Sequence, residues 1–339
     1  MRLVITLLVR DEADIVDAQI AYHLNAGVDY VIATDHESQD GTTEILESYE
    51  REGYLHLLRE RGDVQESGWR TRMARLAATK FAADWVINTD ADEFWMPRQG
   101  TLKDVLAAVP EAFGVVWALS RQFVPRPDEG SSFAERMTVR LSAPAAINDP
   151  VSPYRPHAKA AHRADPDVVV IHGAHSARTR LPLLRNWYPA DVFHFPYRTL
   201  EQYERKNARR AYGVHSLGQY VRGVQAREAG RLEAAYRALL VDDSTLAKGV
   251  TAGCLVIDTR LREALRALRA ESTADGDARE AAPKDLPAVD AAALLDANLV
   301  RLFRRVDDLR VRLSAIEEPA LGLLRLRHRT PDDGKTAIR

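Results

Sequence analysis

Residues 1–120 alternate short apolar runs with amphipathic segments, and this alternation constrains the fold more than any other feature. The apolar runs cover residues 3–9, 30–34, 54–58, 85–89 and 114–120, and each has the length of a buried strand. Strands that alternate with helices are typical of a mainly parallel sheet with helices on its faces. The sequence therefore predicts an α/β fold built on a Rossmann-like sheet.

Composition narrows the class of protein. The chain has 339 residues, of which 46% are hydrophobic and 28% are charged, and this is enough to bury a full core. Its net charge of −2 provides no basic field, so we expect no nucleic-acid partner. Cys254 is the only cysteine, which excludes a disulfide within the chain and suits a reducing compartment.

The apolar run at residues 3–9 is too short to cross a bilayer, and Arg10, Asp11 and Glu12 follow it at once. No other apolar stretch of the sequence reaches spanning length. We therefore expect a cytoplasmic location, and we leave open peripheral contact with the inner face of the membrane.

The remainder of the chain is organised differently. Residues 121–200 are irregular and rich in Pro, His and Arg, as expected of segments that contact substrate. Residues 216–270 have a helical pattern, and residues 271–290 are polar, with two prolines, which predicts a linker. A last helix is predicted over residues 291–325.

Apolar residues recur along the last predicted helix at alternating spacings of four and three, the pattern of a coiled-coil seam. They are Leu295, Leu299, Leu302, Val306, Leu309 and Leu313. Two alternatives stay open, because the stripe can pack on its own domain or pair with a second copy to form a homodimer.

Asp90 and Asp92 directly follow the apolar run at residues 85–89. Two carboxylates one residue apart at the carboxyl end of a strand offer the oxygen ligands that Mg²⁺ or Mn²⁺ prefers. Such an ion usually keeps its other positions for water and substrate phosphates. Aspartates also end many strands as turn formers, so the pattern needs support from the rest of the sheet.

That support comes from the ends of the first two strands. Residues 10–12 follow the first strand and residues 35–42 follow the second, and both segments are polar. In open parallel sheets, ligands bind outside the carboxyl ends of the strands. Neither a dinucleotide glycine fingerprint nor a P-loop is present in the sequence, so a diphosphate bound here would need a metal ion rather than a glycine cradle.

These segments resemble the motifs of family 2-type glycosyltransferases with the GT-A fold, a family with many bacterial members. Residues 35–42 resemble Asp-x-Gly-Ser-x-Asp-Gly-Thr, residues 10–12 resemble Arg-Asn-Glu, and residues 90–94 resemble Asp-x-Asp followed by Glu-Phe. The resemblance covers residues 1–120 well and continues loosely through residues 194–198. Glu37 replaces a glycine and Asp11 replaces an asparagine, which leaves the choice among UDP, GDP and dTDP open.

The resemblance implies a metal-dependent glycosyltransferase of the hexosyltransferase type. It would move a sugar from a nucleoside diphosphate sugar to an acceptor, with inversion; the acceptor, whether a glycan, a lipid-linked molecule or a small molecule, stays open. It also implies a GT-A domain at residues 1–215, with a nucleotide-binding half at 1–120 and an acceptor half at 121–215. A helical C-terminal extension follows this domain.

The resemblance also implies roles for individual residues. Asp92 would bind Mn²⁺ or Mg²⁺ directly, Asp90 would reach the ribose or a metal-bound water, and His194 would be a third metal ligand. The expected nucleotide-sugar contacts are Val9, Arg10, Glu12, Asp35, His36, Asp90, Trp95, Arg198 and Lys206. Arg198 and Lys206 could instead be solvated surface charges, and His194 could be a packed core residue.

The general base is the least defined part of the prediction. No Glu-Asp pair occurs where the family places its base, but His175 and Asp191 occur in that part of the chain. A histidine near its reference pKa can accept the proton of an acceptor hydroxyl at neutral pH. We therefore keep His175 and Asp191 as alternatives for the catalytic base.

Two other functions compete with this one. A nucleotidyltransferase that makes sugar nucleotides would share the sheet, but it typically carries a glycine-rich phosphate loop where residues 10–14 are acidic. A catalytically inactive scaffold is the other alternative. The intact carboxylate pair argues against it, because two neighbouring negative charges repel one another without a cation.

Overall fold

The computed structural model describes residues 1–142, 154, 157–185, 187–208 and 218–275. All of them belong to the first of the two units into which the chain divides, Met1–Leu295. The strands are β1 (Leu3–Val9), β2 (Tyr30–His36), β3 (Leu55–Glu60), β4 (Trp85–Asp90), β5 (Glu93–Pro97), β6 (Val115–Gln122), β7 (Val139–Leu141), β8 (Ala158–Arg163), β9 (Val169–Val170), β10 (Ala177–Arg178), β11 (Ala190–His194) and β12 (Leu255–Ile257).

Helices cover both faces of the main sheet and form most of the described residues after β11. They are α1 (Val16–Asn25), α2 (Thr42–Arg51), α3 (Glu66–Thr79), α4 (Leu102–Ala107), α5 (Phe133–Arg136), α6 (Leu200–Ala208), α7 (Gly218–Glu228), α8 (Leu232–Arg237), α9 (Asp243–Thr251) and α10 (Arg260–Asp275). A short 3₁₀ helix covers His172–Ala174. None of the helices in the described part of the chain combines the length and the apolar character needed to span a membrane.

The main sheet has eight strands in the order β3-β2-β1-β4-β8-β6-β11-β5. The strands run in one direction except for β8 and β5, which pair antiparallel with their neighbours. Val9 lies opposite Asp35 and Leu8 lies opposite Asp90, so β1, β2 and β4 end at the same edge. The predicted α/β fold, with a mainly parallel sheet flanked by helices, is confirmed.

Both faces of the sheet are buried, which explains why its central strands are almost continuously apolar. Leu3, Ile5 and Leu7 of β1 point into the core that includes α1 and α2, and Val4 points into a second core with Met73 of α3. The carboxyl edge is the part of these strands where polar side chains concentrate.

Three details differ from the sequence prediction. Residues 93–97, for which no element was predicted, form β5, because they pair with β11. A strand, β12, interrupts the predicted helical region 216–270, since its apolar residues pair with β7. Helix α10 extends to Asp275, into the predicted linker 271–290. The rest of that linker and the predicted helix 291–325, with its homodimer, lie outside the described residues, and the predicted domain boundaries stay predictions.

His23 of α1 is fully buried beneath the site, and both nitrogens of its ring are used. Its Nδ1 lies 2.7 Å from the Gln19 carbonyl oxygen, and its Nε2 accepts a hydrogen bond of 3.0 Å from the Trp95 backbone N–H. This pattern requires the neutral ring, because a protonated Nε2 could not accept. Burial accordingly lowers the pKa of His23 to about 4.

We expect the protein to lose stability as the pH falls from 7 to 5. The folded pKa of His23 is about 4 and its ordinary value is 6.5, so the unfolded chain binds more protons between these values. His23 should therefore remove about 2 kcal/mol of the unfolding free energy over this pH range. His162, whose pKa burial also lowers to about 4, acts in the same direction. Denaturant titrations at the two pH values measure the loss.

The variant His23→Gln should show a shallower pH dependence, because glutamine supplies a donor and an acceptor without titrating. His172→Gln is the matched control, since the His172 side chain is 59% exposed and its replacement should keep the original profile. Equal pH slopes for all three proteins would show that His23 does not carry the effect.

Candidate functional site

The site is built where β4 ends and β5 begins. Asp90 is the last residue of β4, Glu93 is the first of β5, and Asp92 lies in the turn between them with only 4% of its surface exposed. His194, the last residue of β11, lies in register with Glu93 of β5 and with Gln122 of β6. The fold thus brings the Asp-x-Asp segment together with a residue about a hundred positions later in the chain.

Each of the three carboxylates has a positive partner. Lys206 Nζ lies 3.0 Å from Asp92 Oδ2, and Lys159 Nζ lies 2.7 Å from Asp90 Oδ2 and 2.9 Å from Glu93 Oε1. Arg70 of α3 donates to the other oxygen of Asp90. The predicted contact residue Lys206 is therefore at the site, whereas Arg70 and Lys159 escaped the sequence analysis.

These contacts shift the acidity of the carboxyl groups. Burial alone would raise the pKa of Asp90, but Arg70 and Lys159 outweigh it and hold this pKa below its usual range. Burial would also raise the pKa of Asp92, but Lys206 and His194 hold it well below its usual value. The pKa of Glu93 is raised, because burial exceeds the opposing attraction of Lys159.

Asp92, Glu93 and His194 form a group that could hold a metal ion, with one ligand atom from each residue and all three atoms within 4.8 Å of one another. The sequence predicted Asp90 as a member of this set, and the geometry places Glu93 there instead. Both oxygens of Asp90 contact Arg70 and Lys159, as described above. Glu93 was visible in the sequence only as part of the motif, and no spacing rule marked it as a ligand.

His194 lies between Gln122 and Asp92. Its Nδ1 lies 2.8 Å from Gln122 Oε1, whose amide nitrogen is directed to Ser120 Oγ at 3.1 Å. His194 Nε2 lies 3.6 Å from Asp92 Oδ1, so each ring nitrogen faces one side chain. A metal-binding histidine usually makes a hydrogen bond through its other nitrogen, and Gln122 occupies that position here.

The ring of His194 is the first of three neighbouring histidine rings. The His157 ring lies 5.4 Å from the His194 ring and 5.4 Å from the His175 ring, measured between centroids. The predicted base His175 is therefore two rings away from Asp92. The Ala158 carbonyl oxygen accepts a hydrogen bond of 2.9 Å from His175 Nδ1, so Nε2 is the basic nitrogen of the neutral ring. His157 was not predicted, and its only sequence signal was the abundance of histidine in this region.

The loop after β1 is tied to the start of α6. Arg198 has no exposed surface; its Nε donates to Asp14 Oδ2 at 2.6 Å, and its Nη2 donates to Asp14 and to Glu12. Burial raises the pKa of Glu12, and Arg198 opposes this rise. Arg198 and Glu12 thus contact each other, and their predicted contacts with the nucleotide sugar stay predictions. Asp14 was not predicted.

The segment after β2 is organised by Asp35. Its Oδ1 accepts from Ser38 Oγ and its Oδ2 accepts from Thr43 Oγ1, each at 2.5 Å. Arg10 Nη1 lies 3.2 Å from His36 Nδ1, so the ends of β1 and β2 are joined at the predicted base pocket. The side chain of Val9 is buried in the sheet, so only its backbone is available to line this pocket.

The two departures from the family motifs share one backbone conformation. Asp11 has φ 54° and Glu37 has φ 55°, both in the left-handed region that favours glycine and asparagine. Asp11 stabilises its turn by accepting a hydrogen bond of 2.7 Å from the Gln39 backbone N–H. The loop therefore keeps the conformation that a motif glycine or asparagine would favour, although the residue types differ.

Two predicted site residues lie away from this edge. Trp95 is 2% exposed within the core, so the face of a sugar does not reach it in this structure. Asp191 is fully buried three residues before His194, about 10 Å along β11. Arg98 Nη2 and Arg121 Nε donate to its Oδ1 at 3.0 and 2.9 Å. This position does not favour Asp191 as the base, because an acceptor hydroxyl has no path to it.

We expect Asp191→Asn to destabilise the fold strongly, by about 3–5 kcal/mol, because it leaves buried guanidinium groups without their carboxylate. The variant that remains folded should keep its activity per molecule. The free energy of unfolding from denaturant titration is the measurement. Asp167→Asn is the control, since Asp167 is 76% exposed in its pair with Arg180 and should leave stability unchanged. A stable but inactive Asp191→Asn would return Asp191 to the role of base.

Part of this chain matches the profile of a known protein family. Residues 7–112 match the profile of glycosyltransferase family 92. The matched segment contains the loops after β1 and β2 and the Asp-x-Asp segment. The match confirms the enzyme class predicted from the sequence, a glycosyltransferase; it gives family 92 rather than family 2 and covers less than half of the chain. No curated protein matches the chain.

Several solved structures are similar at low identity. S. aureus TarS 1-349 in complex with UDP-GlcNAc is 15% identical, over 68% of this chain and 72% of that chain, with a TM-score of 0.36. A structure of S. aureus TarS is 14% identical over 68% of this chain, which spans 43% of that chain, with a TM-score of 0.31. M. tuberculosis glucosyl-3-phosphoglycerate synthase is 19% identical, over 35% of this chain and 44% of that chain, with a TM-score of 0.26. At these scores no residue role is transferred from them.

Proposed function

We propose that this protein transfers a sugar, with inversion, from a nucleoside diphosphate sugar to an acceptor, and that it uses Mn²⁺ or Mg²⁺. The observation that carries the proposal is the group formed by Asp92, Glu93 and His194, in which His194 Nε2 lies 3.6 Å from the buried Asp92 Oδ1. The group lies at the carboxyl edge of the sheet, beside the segment that matches glycosyltransferase family 92. Nucleotides bind at this edge in open α/β sheets.

The donor set suits the proposed ion. Asp92 and His194 would hold it, and Glu93 completes the group. Carboxylates suit Mn²⁺ and Mg²⁺, and imidazole is compatible with a transition metal, so Mn²⁺ is the better match. When bound, the ion supplies positive charge next to the diphosphate, which becomes more negative as the bond to the sugar breaks.

The rest of the donor pocket follows from the loops. Arg10 and His36, joined at the ends of β1 and β2, face the place proposed for the base and ribose. Asp35 holds this segment through Ser38 and Thr43, and its effect on donor binding is indirect. Asp90 is held by Arg70 and Lys159, so its proposed contact is with the ribose or with a metal-bound water rather than the ion itself.

His175 is the proposed general base. Its Nδ1 proton is donated to Ala158, and this leaves Nε2 as the nitrogen that can take the proton of an acceptor hydroxyl. The rings of His157 and His194 connect it to the metal group, so an acceptor bound along this line would lie next to the donor sugar. The acceptor itself remains undefined, and the cytoplasmic location and the homodimer remain predictions.

We expect Asp92→Asn to abolish metal-dependent donor binding. Calorimetric titration with UDP, GDP and dTDP, each with and without Mn²⁺, measures the binding and identifies the base. The nucleotide that binds should lose roughly tenfold or more in affinity in the variant, because a neutral amide is a poor ligand for a hard cation. Release of that nucleotide from its sugar conjugates then tests transfer.

Asp243→Asn is the matched control, because the Asp243 side chain is 94% exposed on α9 and its pair with Arg126 lies outside the site. It should bind donor as the original protein does. Unchanged metal dependence in Asp92→Asn would contradict the proposed metal site. Formation of a nucleotide sugar from a nucleoside triphosphate and a sugar phosphate would favour the nucleotidyltransferase alternative, and no nucleotide binding at all would favour the inactive scaffold.

We expect His175→Gln to lower turnover while donor affinity stays within about twofold, because a base acts on the acceptor and not on the nucleotide. The pH profile of the remaining activity should change as well, because the residue that accepts the proton is gone. His172→Gln, which changes an exposed histidine three residues earlier, is the control. An unchanged rate and pH profile for His175→Gln would assign the base to another residue.

A further inference from the structure

The carboxylates of the site are already neutralised by side chains. Arg70, Lys159 and Lys206 are the cations, and Asp90, Asp92 and Glu93 are the carboxylates. Each of these three carboxylates is thus paired with a cation, and Asp92 in particular is paired with Lys206. An ion that binds here must either take over a carboxylate from its partner or bring negative charge with it.

The three cations differ in their freedom to move. Arg70 is 1% exposed and Lys159 is 3% exposed, and each is held by at least two acceptors. Lys206 is 29% exposed and lies in the last turn of α6. It donates to Asp92 Oδ2 at 3.0 Å and, at a longer 3.4 Å, to the Pro196 carbonyl oxygen. As the most exposed of the three cations, Lys206 is the one that can leave its carboxylate with the smallest rearrangement.

We propose that Lys206 is an internal counter-ion that Asp92 exchanges for the divalent ion. In the absence of donor, the Lys206 ammonium neutralises Asp92. When a nucleoside diphosphate brings its own negative charge, the ion takes Asp92 and Lys206 turns to the phosphates. This inference rests on the proposed function and adds a consequence, which is that the protein binds the metal ion weakly until the nucleotide is present.

The physical reason is the repulsion between like charges. An ammonium and a divalent cation on one buried carboxylate repel each other strongly, because the surroundings screen poorly. The diphosphate relieves this repulsion, since its oxygens can accept from the displaced ammonium while they also contact the ion. In the sequence, Arg198 lies between Pro196 and Lys206. The exchange therefore takes place close to a fully buried residue whose ion pairs hold the start of α6 in position.

The test is calorimetric titration of Mn²⁺ alone into the original protein and into Lys206→Met, followed by the same titrations with UDP, or with GDP or dTDP if one of these is the nucleotide that binds. Lys206→Met should bind Mn²⁺ alone roughly tenfold tighter, because the competing charge is gone. The nucleotide should raise Mn²⁺ affinity much more in the original protein than in the variant. Lys206→Arg, which keeps the charge, should bind Mn²⁺ alone as weakly as the original protein.

Lys103→Met is the matched control, because Lys103 Nζ lies 2.6 Å from Asp29 Oδ1 in another lysine–aspartate pair outside the site. It should leave Mn²⁺ affinity unchanged. A structural role for Lys206 would weaken Mn²⁺ binding on substitution, whereas competition strengthens it, so the direction of the change decides.

Equal or weaker Mn²⁺ binding by folded Lys206→Met would overturn the proposal. If the methionine variant does not fold, Lys206→Gln is tested in its place. Mn²⁺ that binds none of these proteins, with or without nucleotide, would also overturn it. In that case, nucleotide binding in the presence of EDTA would leave the glycosyltransferase proposal standing without its metal. Loss of nucleotide binding as well would contradict both the counter-ion proposal and the glycosyltransferase proposal.

Discussion

Buried carboxylates need positive partners, and this requirement organises the carboxyl edge of the sheet. Removing a charge from water costs several kcal/mol unless a partner of opposite charge and hydrogen bonds compensate it. Here the partners come from separate parts of the chain, with Arg70 on α3, Lys159 on β8 and Lys206 on α6. Residues 1–120 and the later segments are thus held together at the site itself.

The same need for charge compensation explains the ion pairs of Arg198, Asp191 and Asp258. Arg198 joins the loop after β1 to the beginning of α6. Asp191 receives Arg98 and Arg121, and Asp258 receives Arg140 and Arg260, which lies at the start of α10. Arg260 also lies 3.9 Å from Asp191 and connects the two groups. These ion pairs anchor the C-terminal helices to the strands that carry the site, so they contribute to function through position rather than through chemistry.

Much of this structure could be predicted from the sequence where the signal is local. Apolar runs predicted β1 to β4 and β6, and their order with the intervening helices predicted the sheet. Asp90 and Asp92 were found because they follow a strand, and Lys206 was found through its place after His194. The sequence did not predict β12, and it did not indicate that Asp191 and Trp95 are buried. Burial and strand pairing depend on segments far away in the sequence.

The sequence by itself determined the α/β class, the edge of the sheet at which polar residues gather and the presence of carboxylates there, because strand period and the ends of strands are properties of short segments. Only the tertiary structure decided what those carboxylates face. It brought Glu93 and His194 next to Asp92 and gave each carboxylate a cation. The physical reason is that charge compensation acts through space. Asp92 and Lys206, for example, are 114 positions apart along the chain.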